Sequence, residues 1–282
     1  MQADPAPLTR KEFLLALAAP MLLPARTGPG KLLIVVAHPD DEYSFAATTY
    51  KLVRELGWTA DQVVITNGEA GYRYSALAEA VYGKKLANEG DGRANLPAIR
   101  KEEAIRAGKI LGIAHHYFLD QKDLGFTNDA AKADASNLDR AQVGEFLDRL
   151  LEREHYDAVF TLLPTTETHG HHRAATQLTQ EAVARLPKSE RPLLFGVEAA
   201  GRGHATRFAG SEPVIAVDRT APLGYHDALN YQIVVNWVIA EHKSQGLFQL
   251  ESGRHELEQF WLLDGGADCE RLVRELHQQL CG

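Results

Sequence analysis

Short apolar runs alternate with longer amphipathic stretches along most of the chain. Runs rich in β-branched and aromatic residues are too short for helices and predict strands at 31–38, 62–67, 115–119, 157–163, 193–198 and 213–217. The stretches between and after them predict helices at 42–57, 98–112, 138–153, 172–186, 223–243 and 268–280. This alternation predicts an α/β fold, a Rossmann-like three-layer sandwich in which helices cover both faces of a parallel sheet.

The pattern indicates a single domain over residues 31–282. This length is sufficient to bury one large core, and no internal repeat, low-complexity tract or second boundary interrupts it. Hydrophobic residues make up 45% of the chain and charged residues 24%, which is the balance of an ordinary globular protein.

Residues 1–30 fall outside the alternating pattern. Arg10 and Lys11 precede an apolar run, and a Gly/Pro-rich tail follows it, which predicts an export signal and linker. The segment TRKEFL at 9–14 also resembles a twin-arginine signal in which Lys11 replaces the second arginine, so we expect export to the periplasm or the outer face. The alternative is an amphipathic helix packed on the domain of a cytoplasmic protein.

A polar cluster, AHPDDE at 37–42, directly follows the first predicted strand. Ligands of open α/β sheets bind at the carboxyl ends of the strands. If Pro39 opens a helix, His38 and Asp41 lie three residues apart and can approach one ion, whereas Asp40 points elsewhere. Imidazole and carboxylate suit Zn²⁺ or another divalent metal, and a catalytic zinc usually has three protein ligands. We therefore expect another ligand elsewhere in the chain.

The segment THGHHRAAT at 168–176 supplies candidates for that ligand after the fourth predicted strand. Helical spacing would make His169 and His172 neighbours, and His171 is the rival of His172 because it lies next to it. We expect the fourth strand beside the first, where a doubly wound sheet reverses its strand order. The two polar segments would then meet in one crevice.

With these two motifs the chain resembles the PIG-L or LmbE-like family of zinc-dependent N-acetylglucosaminyl deacetylases. Weaker similarities are TNGEAG at 66–71, RKEEA at 100–104, LGI at 111–113 and HKSQ at 242–245. The resemblance implies that His38, Asp41 and His172 bind the metal. It also implies that Asp40 is the general base and that His169 polarises the substrate carbonyl.

One position departs from the family pattern. The family often has His-Pro-Asp-His or His-x-Asp-His where this chain has His169, Gly170, His171 and His172. His171 therefore stands where the family carries an acid, and we expect it to lie behind the site and help to position a neighbouring histidine.

The long segment 68–97 predicts a substrate wall or lid, because long loops at the carboxyl edge of a sheet commonly bind ligands. Tyr72 and Arg73 are its candidate substrate contacts, and the alternative is an inserted helix over 74–82 that only packs on the core.

Three further residues each have two interpretations. Arg100 is expected to bind a substrate hydroxyl, or else to pair with Glu103 on a helix surface. Asp123 follows the third strand and is expected to bind a sugar hydroxyl, or else to form a turn. Glu42 is expected to orient a metal ligand, or else to be a favourable charge in the first turn of a helix.

Composition and missing motifs exclude several functions. The formal net charge of −8 argues against nucleic-acid binding, which requires a basic surface. No apolar stretch approaches the roughly 20 residues of a transmembrane helix. No glycine fingerprint follows the first strand, so NAD binding is disfavoured. Only Cys269 and Cys281 are present, so no cysteine motif competes for a metal.

The resemblance therefore implies a zinc-dependent amide hydrolase that acts on a small N-acetylated amino sugar and releases acetate and a free amine. One alternative is a catalytically silent carbohydrate- or metal-binding module of the same fold. Another is an amidase for a larger acyl group or a thiol–sugar conjugate. Asp40 favours an enzyme, because metal binding requires only ligands whereas hydrolysis also requires a base.

We predict that the full-length chain reaches the periplasm or outer face with its leader removed, and that a truncated chain beginning at Gly30 folds, binds metal and hydrolyses substrate. Cell fractionation with mass spectrometry of the N-terminus tests the first statement, and activity of the truncated chain tests the second. An unprocessed cytoplasmic protein would contradict export. Collapse of the truncated chain would show that the leader belongs to the core.

Overall fold

The computed structural model describes residues 29–125, 138–203, 207–223, 229–245 and 252–282. The predicted export signal lies outside these residues. Within them, no helix combines the length and the apolar character needed to cross a membrane.

The described strands form one seven-stranded sheet of order β3-β2-β1-β4-β5-β7-β6. The strands are β1 (Lys31–Val36), β2 (Thr59–Thr66), β3 (His115–Gln121), β4 (Ala158–Leu162), β5 (Leu193–Ala200), β6 (Ile215–Asp218) and β7 (Leu257–Asp264). Strands β1 to β5 are parallel, and β1 pairs with both β2 and β4. The strand order thus reverses between β1 and β4, as the sequence predicted.

The sheet is mostly, not wholly, parallel, which corrects the sequence prediction. Strand β7 was missed, and it runs antiparallel to both β5 and β6. Its FWLL run at 260–263 carries an apolar signal, but it does not fit a scheme in which each strand is followed by a crossover helix. Antiparallel neighbours need no such helix.

The described helices are α1 (Ala46–Tyr50), α2 (Ala78–Tyr82), α3 (Glu89–Leu111), α4 (Arg140–Glu154), α5 (Gly170–Arg185), α6 (Gln232–Glu241) and α7 (Cys269–Cys281). Three short 3₁₀ segments also occur, at Asp41–Phe45, Glu69–Tyr74 and Ser252–Arg254.

Three predicted helices differ from the structure. The helix predicted at 42–57 is divided into a 3₁₀ segment, α1 and a π turn at Lys51–Glu55. Helix α3 begins nine residues before the predicted 98, because the Asn88 side chain caps it by accepting a hydrogen bond from the Asp91 N–H at 3.0 Å. Pro97 therefore lies inside the helix. The helix predicted at 223–243 begins only at Gln232.

Helices cover both faces of the sheet, which confirms the three-layer arrangement. Alternate side chains of β1 point to opposite faces. Leu32 and Ile34 pack in a core with α1, α3, α6 and α7, whereas Leu33 and Val35 pack in a second core with α4 and α5.

A fully buried ion pair ties the antiparallel edge of the sheet to the chain after β1. Arg219 donates to Glu258 at 3.0 Å, and both side chains are 0% exposed. Glu258 also accepts from the backbone N–H groups of Ala47 at 2.9 Å and Thr48 at 2.8 Å, so it caps α1. Arg219 donates to the carbonyl of Tyr43 at 2.8 Å. The pair thus fixes the segment that immediately follows the AHPDDE motif.

We predict that Arg219→Met lowers the free energy of unfolding by about 3–5 kcal/mol, because it leaves the Glu258 carboxylate buried without its cation. Arg149→Met is the matched control, since that side chain is exposed on α4 and the change should stay within about 0.5 kcal/mol. Urea unfolding followed by circular dichroism measures both. Equal stability of the two variants would contradict a structural role for the pair.

Candidate active site

A cavity of about 460 Å³ lies at the carboxyl edge of the sheet, where segments after β1, β2, β3 and β4 meet. Nine predicted site residues line it: His38, Asp40, Asp41, Tyr72, Arg73, Arg100, Asp123, His169 and His172. The two residues expected behind the site, Glu42 and His171, do not line the cavity and are fully buried.

His38, Asp41 and His172 form a compact group whose ligand atoms all lie within 4.8 Å of one another. The Nδ1 atom of His38 is 2.9 Å from Nε2 of His172, and that Nε2 is 3.1 Å from Oδ1 of Asp41. The backbone N–H of His38 donates to the other oxygen of Asp41 at 2.8 Å, which fixes the carboxylate. Burial raises the pKa of Asp41, but His172 and His38 outweigh it and hold that pKa well below its usual range.

The donor set of this group fits a divalent metal ion. Ligand atoms about 2.0–2.2 Å from a tetrahedral zinc lie roughly 3.4 Å from one another. Here Nε2 of His172 lies at comparable separations of 2.9 Å from Nδ1 of His38 and 3.1 Å from Oδ1 of Asp41. The described residues thus contain a His/Asp group able to bind a metal, with two imidazoles and one carboxylate as its donors.

A second, overlapping group consists of His38, His169 and His171. This group includes His171, the rival of His172 as a ligand, but its members are less available to bind a metal. His171 is fully buried beneath the cavity, and both ring nitrogens of His169 already contact backbone groups. The group with Asp41 and His172 is therefore the better candidate.

Asp40 is not a member of this group and pairs with Arg100 at 2.8 Å. Burial raises the pKa of Asp40, and the Arg100 guanidinium only partly offsets this. Arg100 also donates to the carbonyls of Pro39, at 3.2 Å, and Gly68. The alternative of a surface ion pair with Glu103 is wrong, because both residues are buried and Glu103 instead accepts from the Ser244 N–H at 2.8 Å.

His169 is the residue before α5, and the backbone sets the orientation of its ring. Its Nδ1 accepts a hydrogen bond from the His171 N–H at 3.1 Å, and its Nε2 lies 3.1 Å from the carbonyl oxygen of Gly125. The proton is accordingly assigned to Nε2. Burial and the neighbouring histidines His38 and His172 lower the pKa of His169 to about 3, so the ring is neutral at pH 7.

Asp123 supplies an acid close to His171, at the position where the chain departs from the family pattern. Its Oδ1 lies 3.2 Å from Nδ1 of His171 and 3.8 Å from Nε2 of His38. Burial raises the pKa of Asp123, but the close contact with His171 and the His38 charge hold it well below its usual range. The backbone N–H of Asp123 donates to Glu69 at 3.1 Å. Asp123 thus contacts two site histidines, an arrangement typical of residues that orient metal ligands.

Glu42 contacts the HKSQ segment and not a candidate metal ligand within the described part of the chain. Its Oε1 lies 2.5 Å from Nε2 of His242, and both side chains are fully buried. Burial lowers the pKa of His242, but the Glu42 charge outweighs it and raises that pKa. Three residues further along, Gln245 lines the cavity and donates to the carbonyl of Gly71 at 3.1 Å.

The outer wall of the cavity comes from the predicted substrate segment and from α3. Tyr72 and Arg73 belong to the 3₁₀ segment Glu69–Tyr74, and the inserted helix α2 follows it. Sequence reasoning missed Glu89 and Arg93, which line the cavity from the first turns of α3. They carry no motif, and their place depends on where α3 begins, which the sequence prediction put too late.

A match between the sequence and a protein-family model shows the family of this chain. The family model described as PIG-L, GlcNAc-PI de-N-acetylase, matches residues 33–183. The match spans more than half of the 282 residues and includes both polar motifs. The chain therefore belongs to the PIG-L family.

Individual proteins are similar to this chain in sequence or in fold. A protein of Bacillus cereus named probable N-acetyl-alpha-D-glucosaminyl L-malate deacetylase 2 is 26% identical over 199 residues, which is 71% of this chain and 74% of that protein. The structure of N,N'-diacetylchitobiose deacetylase from Pyrococcus horikoshii has a TM-score of 0.54 at 19% identity and covers 92% of this chain and 94% of its own. GalB of Pseudomonas putida, a 4-carboxy-2-hydroxymuconate hydratase, has a TM-score of 0.53 at 18% identity and covers 83% and 96%. These structures show a shared fold.

We predict about one tightly bound divalent ion per chain, lost in His172→Ala but retained in His171→Ala. His172 offers Nε2 to the group with His38 and Asp41, whereas His171 lies beneath it. Elemental analysis by mass spectrometry after dialysis measures the bound metal. The opposite result would exchange the assignments of the two histidines.

Proposed function

We propose that the protein is a zinc-dependent hydrolase that removes the N-acetyl group of an amino sugar and releases acetate and a free amine. The observation that carries this proposal is the meeting, in one cavity, of a three-residue metal group with a carboxylate that is not part of it, Asp40. Binding a metal requires only the ligands, whereas hydrolysis also requires a base. This pairing favours an enzyme over a silent binding module.

His38, Asp41 and His172 would hold the metal. A divalent ion bound there supplies two effects, since it lowers the pKa of a water and polarises an acyl oxygen. Two imidazoles and one carboxylate are a frequent zinc ligand set, which supports Zn²⁺ over a metal that prefers oxygen ligands.

Asp40 is the proposed general base. It takes a proton from the attacking water and delivers it to the departing amine nitrogen. Its raised pKa makes it a stronger base than an ordinary carboxylate. The contact with Arg100 at 2.8 Å holds the carboxylate in position and keeps it from turning toward the metal group.

His169 is the proposed donor to the oxyanion of the tetrahedral intermediate. Because its pKa is lowered to about 3, it acts as a neutral donor through Nε2–H and not as a cation. Such a preorganised donor is commonly worth about 3 kcal/mol of transition-state stabilisation. Before the reaction the same Nε2–H donates to the Gly125 carbonyl at 3.1 Å, and the oxyanion would replace this carbonyl as the acceptor.

The relatives support an amino sugar as the substrate class. The names of the malate deacetylase and the diacetylchitobiose deacetylase both denote removal of acetyl groups from such sugars. The hydratase GalB has the same fold, so the fold alone does not determine the reaction. The proposal therefore depends on the site residues. An amine-release assay on a panel of N-acetylated sugars, with metal analysis of the same preparation, tests it.

We predict that Asp40→Asn retains the metal but loses activity by roughly 10² or more, because asparagine cannot accept the proton. Asp120→Asn is the matched control, since Asp120 lies near the same edge of the sheet but is 59% exposed and pairs with Lys101. Amine release and bound metal are measured for both variants.

Two results would contradict these assignments. Metal loss in Asp40→Asn would make Asp40 a ligand. Retained activity in that variant would remove it from the mechanism.

A further inference from the structure

Three arginines line the cavity, and they differ in what neutralises them. Arg100 is buried at the base and pairs with Asp40 at 2.8 Å. Arg93 lies 3.0 Å from Glu89 and 3.6 Å from Glu69. Arg73 has no carboxylate within 4.0 Å among the described residues.

Arg73 is also held in place by an aromatic ring. Its guanidinium carbon lies 5.6 Å from the ring centroid of Tyr72, and its Nε donates to the Tyr72 hydroxyl at 3.4 Å. The guanidinium of Arg93 approaches the same ring at 5.9 Å. Cation–π contacts of this kind orient an arginine without using all of its hydrogen-bond donors.

The ring itself is rigidly supported. Tyr72 packs against the small apolar cluster that contains Leu86 and Leu96. A Cβ added at Gly92 of α3 would lie 2.3 Å from the Cβ of Tyr72, so the glycine permits this close approach. Arg73 is therefore an exposed cation on a fixed platform at the mouth of the cavity.

We infer that Arg73 binds a single negatively charged group, a carboxylate, on the part of the amino-sugar substrate that projects away from the N-acetyl group. This inference rests on the proposed function. A guanidinium matches a planar carboxylate with two parallel hydrogen bonds. On a chain of net charge −8, an exposed arginine without an ion-pair partner among the described residues offsets the repulsion that an anionic substrate would meet.

The neighbouring charges limit how much negative charge this position accepts. Glu89 lines the same wall, and its side chain is 64% exposed. A phosphate dianion would meet this carboxylate opposite Arg73, which among the described cavity arginines is the one without a carboxylate within 4.0 Å, whereas a monoanionic carboxylate is balanced by Arg73 alone. The geometry thus favours a carboxylate over a phosphate.

The test compares three N-acetylglucosamine glycosides that differ only in the aglycone, which carries a carboxylate, the corresponding neutral amide, or a phosphate. For the unmodified metal-loaded protein we expect kcat/KM to be about tenfold higher with the carboxylate than with the amide. This factor is at the low end of the effect of a hydrogen bond to a charged group, because the site is exposed. In Arg73→Gln we expect this ratio to fall to about one, because KM for the carboxylate glycoside rises. In Arg73→Lys we expect part of the preference to remain. The control Arg149→Gln, on the exposed face of α4, should keep the full ratio.

The outcomes separate the two proposals. Equal kcat/KM for carboxylate and amide in the unmodified protein, or a ratio that survives Arg73→Gln, would overturn the role of Arg73 while leaving the deacetylase intact. A preference for the phosphate over the carboxylate would overturn the choice of ligand. If none of the three glycosides releases amine, the proposed deacetylase function fails, and the inference fails with it.

Discussion

The pairing of β1 with β4 is the constraint on which the site depends. Its register places Leu32 beside Ala158 and Ile34 beside Phe160, so both strands end at the same edge. The segment after β1 carries His38, and the segment after β4 leads into α5 with His172. Residues 134 positions apart in the chain thus come within 2.9 Å. A shift of this register would separate them, because each residue along a strand moves the chain by about 3.3 Å.

Several buried charged side chains around the cavity form ion pairs. Three such pairs hold the site from different directions, and they are Asp40 with Arg100, Glu42 with His242 and Glu258 with Arg219. Removing charges from water is costly, and each pair offsets the cost only while both partners remain. Loss of one partner would cause local rearrangement, so these pairs preorganise the site as well as stabilise the fold.

The sequence predicts the fold class and most of the site, because the relevant signals are local. The strand KLLIVV followed by His38, Asp40 and Asp41 is a short-range pattern, and its position at the edge of a parallel sheet follows from general topology. The start of α3 depends on the Asn88 cap. The contribution of Arg93 to the cavity depends on it too, because Arg93 lies in the first turns of this helix. The contact of Asp123 with His171 joins two distant segments and has no local signature. Strand β7 was missed for a related reason, since its pairing is antiparallel and lies at the far edge of the sheet.

We propose that amide hydrolysis depends on one metal held by His38, Asp41 and His172. The most direct test is a titration of the chelator-stripped protein with Zn²⁺, in which amine release from an N-acetylated amino sugar is measured at each step. We expect no activity in the stripped protein and a linear rise in activity that saturates at about one equivalent of Zn²⁺ per chain. Full activity before any metal is added, or a rise that requires two equivalents, would contradict it.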